Sequence, residues 1–139
     1  MKRFLENPWD AYEDFCKGNA YWLDDYAVFM ALKNVNGGKA WTEWPKELRN
    51  HEESALNAVK EVLKAEIDFW KGIQFLFFHQ WRKLRAYANE KGISIIGDIP
   101  FYVALDSVDA WAHSELFQLD ERRRPLGVAG CPPDGFSAT

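Results

Sequence analysis

Lys91-Gly92-Ile93-Ser94-Ile95-Ile96-Gly97-Asp98-Ile99-Pro100 decides the fold class of this chain. A β-branched apolar run follows a glycine and ends in Gly-Asp, the pattern of a buried parallel strand rather than of a half-exposed one. Upstream, residues 54–92 read as helix almost throughout. Leu56, Val59, Leu63, Trp70, Ile73, Phe77, Trp81, Leu84 and Ala88 recur at steps of three, four or seven and place one apolar stripe. Around Phe75 to Phe78 the helix is apolar all round, so burial on several sides is expected. A break is expected near Ala65, because one helix over this span would reach roughly 55 Å. Gly92 is placed to close it at the C-terminus. A long helix, a glycine and an apolar strand form the αβ half of a parallel-sheet unit. One strand makes no sheet, so its partners are expected from a longer protein.

Working outward, Asn7-Pro8 opens a helix whose stripe is Trp9, Tyr12, Phe15 and Cys16, with Gly18 as its expected end. A second helix is expected from about Tyr21 to Lys33, broken by Asn34 to Gly38. Trp41 to Leu48, with Pro45 inside, reads as a loop or a short helical turn. Beyond the strand, residues 101–139 read as irregular, with Asp106-Ser107 as an N-cap, a short helix from Asp109 to Leu116, and a turn over Asp120 to Pro125.

Composition narrows the function classes. The 139 residues carry a formal net charge of -4, and the one basic cluster, Arg122-Arg123-Arg124, sits in a turn. Nucleic-acid binding rests on clustered cations and is not expected. The longest apolar run, Phe75 to Phe78, is far short of the roughly 20 residues of a membrane span. Cys16 and Cys131 match no metal spacing and no disulfide framework, which points to a reducing, cytoplasmic compartment. Seven tryptophans suit either sugar stacking or a helical core.

Asp98 stands at the carboxyl end of the strand, the edge at which α/β folds assemble their sites. There a carboxylate binds sugar hydroxyls, braces a catalytic neighbour, or merely caps the next loop; position alone leaves all three open. Asp106, Asp109 and His113 could be metal ligands, although helix capping by Asp106 or Ser107 explains them more simply. His51 and His79 read as structural or surface residues. No nucleophile elbow, phosphate loop or Cys-His pair is present.

Gly97-Asp98-Ile99-Pro100-Phe101-Tyr102-Val103-Ala104, then Asp106-Ser107-x-Asp109-x-Trp111, resembles the strand and loop signature of amylomaltases, the 4-α-glucanotransferases. The same family is resembled by Glu115-Leu116-Phe117-Gln118-Leu119-Asp120 and by Val128-Ala129-Gly130-Cys131-Pro132-Pro133-Asp134 with Phe136-Ser137. Trp22-Leu23-x-Asp25-Tyr26-Ala27-x-Phe29, Trp41-x-x-Trp44-Pro45-x-x-Leu48-Arg49 and Phe77-Phe78-x-Gln80-Trp81 extend the likeness over nearly the whole chain.

The resemblance implies an α/β fold: a fragment of a (β/α)8 TIM barrel, mostly helical, with an inserted helical subdomain plus one parallel barrel strand and its long loop. Residues 1–53 become a helical insertion segment, 54–92 a long helix or helix pair, and 93–139 the barrel strand with its substrate-side loop, all within one larger catalytic domain. It further implies transfer of α-1,4-glucan segments between maltooligosaccharide donor and acceptor, with retention, through a covalent glycosyl-enzyme and without a cofactor. Asp98, Pro132, Pro133, Asp134, Phe136 and Ser137 are the implied substrate-binding residues. Gly135 stands where many members carry Tyr, which removes one stacking face. The family's Arg-x-Asp-His, Ala-Glu-Asp and His-Asp-Asn motifs, which hold its catalytic carboxylates, do not occur here, so no catalytic residue is expected in this chain and an internal fragment, inactive alone, is expected. The alternatives are a non-catalytic glucan-binding module using Trp41, Trp44, Trp111 and the Cys131 to Ser137 loop, or a helical interaction or scaffold protein.

Overall fold

In the computed structural model, residues 8–127 and 130 are described. Among the described residues, five α-helices follow in order: α1 (Pro8–Val35), α2 (Lys46–Arg49), α3 (Glu53–Val62), α4 (Lys64–Glu90) and α5 (Val108–Ala112). Single 3-10 turns lie at Trp41–Glu43 and Ser114–Leu116.

The two helices expected in the first third are one. α1 starts at Pro8 and runs through Gly18 for 28 residues. An interior glycine costs only about 1 kcal/mol against alanine. Burial of Phe15 on one side of it and of Leu23, Ala27 and Val28 on the other outweighs that cost. Side chains also bridge the weak point: Asn19 Nδ2 donates to the Phe15 carbonyl at 2.7 Å, and Trp22 Nε1 donates to Asn19 Oδ1 at 3.1 Å. The true stop is Gly37-Gly38, with φ of 64° and 77°. There the Gly37 N–H reaches the Asn34 carbonyl and the Gly38 N–H the Lys33 carbonyl, a paired closure that leaves few orphan carbonyls.

The break in the 54–92 helix falls at Leu63, close to its expected place. The bend lets Leu56 and Val59 from α3, with Leu63 at the break, join the cluster that holds Ile67 of α4. Gly92 closes α4 as expected, at φ 73°, with its N–H on Asn89 and that of Ile93 on Ala88.

α4 lies antiparallel to α1, as the pairs Phe15–Phe78, Asp24–Lys71 and Asn34–Glu66 show. Its packing face is Ile67, Trp70, Lys71, Gln74, Phe75 and Phe78, one helical stripe. The stripe expected from the sequence is for the most part the other face: Ile73, Phe77, Trp81 and Leu84 are exposed. α4 is therefore apolar on two sides, and α1 covers one. Burial of the Phe75 to Phe78 stretch on several sides is not observed, since Leu76 and Phe77 remain open. Among the described residues no helix is long and apolar enough to cross a membrane.

The expected strand over 93–100 is also not formed. These residues are exposed, and among the described residues the β pairing is an isolated antiparallel bridge between Leu119 and Pro125. A strand exists only against a partner, and none of the described segments offers Ile93 to Ile99 a backbone edge.

The core is aromatic. Trp41 and Trp111 are fully buried, Trp44 nearly so, and Phe29 stacks at 5.4 Å from Trp44 and 5.6 Å from Trp111. Each indole N–H finds a carbonyl: Trp41 on Leu105 (2.6 Å), Trp44 on Lys39 (3.2 Å) and Trp111 on Leu48 (2.8 Å). These three tryptophans present no face to a sugar ring, which removes them from the glucan-binding module considered above.

Candidate functional site

The candidate site is the segment that leaves α4 and returns to the helical layer, residues 93–107. Its outer half makes few contacts. Asp98 is exposed, and its Oδ1 accepts from the backbone N–H of Ile99 at 2.8 Å, a local bond that turns the chain after Gly97. Ile96, Ile99 and Phe101 point into open space, the last 99% exposed. The Tyr102 hydroxyl donates to the Gly130 carbonyl at 3.1 Å, so this loop touches the segment that leads into residues 131–139. An open apolar cavity of about 460 Å³ lies beneath, lined by Tyr102, Val103, Leu105, Phe117 and Leu119 among others. Pro132, Pro133, Asp134, Phe136 and Ser137 lie outside the described residues, as does Cys131. Asp98 is thus the one proposed glucan contact whose placement is described.

The inner half is held firmly. Trp41 Nε1 takes the Leu105 carbonyl, and the Asp106 carboxylate accepts from Lys33 Nζ (2.7 Å) and from the Trp41 backbone N–H (3.3 Å). Ser107, extended at φ -138°, caps α5 by accepting from the Ala110 N–H at 3.3 Å. Of the two candidate caps, Ser107 performs the capping and Asp106 the anchoring. Asp106, Asp109 and His113 do not converge: Asp106 faces Lys33, and His113 Nδ1 lies 3.6 Å from Glu115.

The Arg122 to Arg124 turn is tied to Asp120, whose carboxylate accepts from the N–H groups of Arg124 and Arg122 and from Arg124 Nε. The Arg124 backbone N–H, first among these, holds the Asp120 carboxyl below its usual value. Arg123, at φ 62°, sends Nη1 to Ser114 Oγ at 2.7 Å.

Two residues escape sequence reasoning. Lys33 has a usable signal, a cation in the last turn of a helix, where the macrodipole favours it. Asp25 has none. It stands 3.4 Å from His51 Nε2, and that imidazole holds its carboxyl below the usual carboxylate value against the opposing effect of burial. His51 has φ 57°, and its ring meets the Trp111 edge at 4.5 Å between centroids. On α1, burial pushes the Tyr12 phenol up.

The described residues form a two-helix layer with a second apolar face open, leading into an exposed loop that carries Asp98. A solved structure of the amylomaltase from Streptococcus agalactiae in complex with acarbose has the same fold over 98% of this chain and 28% of its own, with a TM-score of 0.86 and 42% identity. The 4-alpha-glucanotransferase of Aquifex aeolicus is 52% identical over 127 residues, 91% of this chain and 26% of that protein. That of Thermus thermophilus is 52% identical over 130 residues, 94% of this chain and 26% of that protein. The sequence profile of the 4-alpha-glucanotransferase family matches residues 2–139. This chain belongs to the 4-alpha-glucanotransferase family, and it spans about a quarter of the length of the curated relatives it matches.

Proposed function

We propose that this chain is the helical layer and substrate-side loop of a 4-α-glucanotransferase that moves α-1,4-glucan segments between maltooligosaccharides. The reaction retains configuration: one carboxylate forms a glycosyl-enzyme, a second protonates the leaving oxygen, and a glucan 4-hydroxyl takes the place of water. Both carboxylates belong to parts of the enzyme other than these 139 residues. Within the whole barrel, residues 93–100 pair as a parallel strand and the second apolar face of α4 is covered. Asp98, at the strand's end, then binds glucan hydroxyls or braces a catalytic neighbour, and Pro132, Pro133, Asp134, Phe136 and Ser137 fold over the bound chain. Two widely spaced cysteines support a cytoplasmic setting.

One observation carries the reading: the match over 98% of this chain to an amylomaltase solved with acarbose, at 42% identity. The test is maltotriose disproportionation. The enzyme containing this chain yields glucose together with longer oligomers, and the chain alone yields neither. Turnover by the purified chain alone would put the carboxylates here and overturn the assignment.

A further inference from the structure

We infer that Lys33, Asp106 and Trp41 form a positioning node that fixes the root of the substrate-side loop and thereby sets how tightly glucan is held. The inference rests on the glucan reading of that loop. Lys33 Nζ has three donors and uses all of them, on the carbonyls of Gly38 (2.9 Å) and Lys39 (3.0 Å) and on Asp106 Oδ2. Those carbonyls belong to the turn that ends α1, so the ammonium locks that turn to a residue 73 positions away in sequence. The other Asp106 oxygen receives the Trp41 N–H, and the neighbouring Leu105 carbonyl receives the Trp41 indole. Leu105, Asp106 and Ser107, three consecutive residues, are thereby fixed to the 3-10 turn, to α1 and to α5 in that order.

The contrast with residues 98–104 gives the node its meaning. That stretch is exposed throughout. With residues 93–100 paired as a strand, residues 101–104 run from the strand's end to the fixed root at 105–107, and the Tyr102–Gly130 bond carries their direction to the segment preceding residue 131. The pair is only partly sheltered, with side chains 18% and 43% exposed, so its contribution to stability is small. An ion pair that adds little stability and fixes a loop acts on geometry. Glucan contacts on that loop then contribute to binding only while the root holds.

The experiment measures maltotriose kinetics and thermal melting of the whole enzyme containing this chain, with Asp106→Ala, Asp106→Asn, Lys33→Met and Lys33→Arg. Asp106→Ala and Lys33→Met raise KM by about tenfold with kcat far less affected, the signature of lost uniform binding. Asp106→Asn keeps an acceptor for Trp41 and falls between. Lys33→Arg restores most of the loss. Unchanged KM in folded Asp106→Ala and Lys33→Met would overturn the inference, as would kcat falling in step with the folded fraction at constant KM. Should Asp106→Ala fail to fold, Asp106→Asn and Lys33→Met read the same split. An inactive wild type would strike the glucan reading itself, a result separable from a wild type that is active and variants that are not affected.

Discussion

Trp111→Ala tests the claim that the tryptophans make a core and not a sugar platform. The ring is fully buried and contacts Phe29 at 5.6 Å, Trp44 at 5.7 Å and His51 at 4.5 Å. Truncating a buried aromatic to alanine costs about 3–5 kcal/mol. The substitution also removes the indole donor from the Leu48 carbonyl (2.8 Å), which keeps the His51 backbone N–H at 3.1 Å. The lost hydrogen bond adds about 1 kcal/mol, and since such terms overlap we place the total near 4 kcal/mol. With a urea slope of about 2 kcal/mol per molar, the unfolding midpoint falls by about 2 M. Urea unfolding of the protein carrying this chain, followed by near-UV circular dichroism, reads the shift. Val62→Ala, 81% exposed at the end of α3, serves as the control and costs under about 1 kcal/mol. A midpoint shift below about 0.5 M for Trp111→Ala would refute the core argument.

The two informative glycines give opposite signs. Gly18 lies inside α1 with open space around its Cα, so Gly18→Ala raises stability by about 0.5–1 kcal/mol, whereas Gly92→Ala, at φ 73°, lowers it by about 1 kcal/mol or more; thermal melts of the two single variants check both. Asp25 makes stability depend on acid. Its carboxyl is depressed in the fold, so its contribution is present above about pH 3.8, the unfolded value, and is lost as pH falls through the lower folded value. Asp25→Asn therefore melts below the wild type at pH 6, with the gap closing toward pH 2; an equal gap at both would disprove the coupling to His51.

How far the sequence reached is clear element by element. Ser107 as a cap, Gly92 as a helix end and the break beside Leu63 were all legible, because each follows from the backbone needs of a few neighbouring residues. The family was legible too, from motifs such as those around Asp98 and Asp106. Gly18 misled, because a local cost of about 1 kcal/mol says nothing of the burial on either side that overrides it. The face of α4 misled for a related reason: period alone finds apolar stripes, and this helix has two. Which one α1 takes depends on distant pairs such as Phe15–Phe78 and Lys71–Asp24. The strand at 93–100 is the sharpest case. Its sequence is that of a strand, yet pairing is a property of two segments and none of the described residues supplies the second.

The sequence by itself therefore determined the break near Leu63, the helix ends at Gly92 and Ser107, and the family, all of which depend on near neighbours or on recurring motifs. Tertiary structure alone decided that Trp41, Trp44 and Trp111 turn inward and that Lys33 meets Asp106. Those contacts join residues up to 73 positions apart, and only the close packing of α1, the 3-10 turn and α5 brings them within reach.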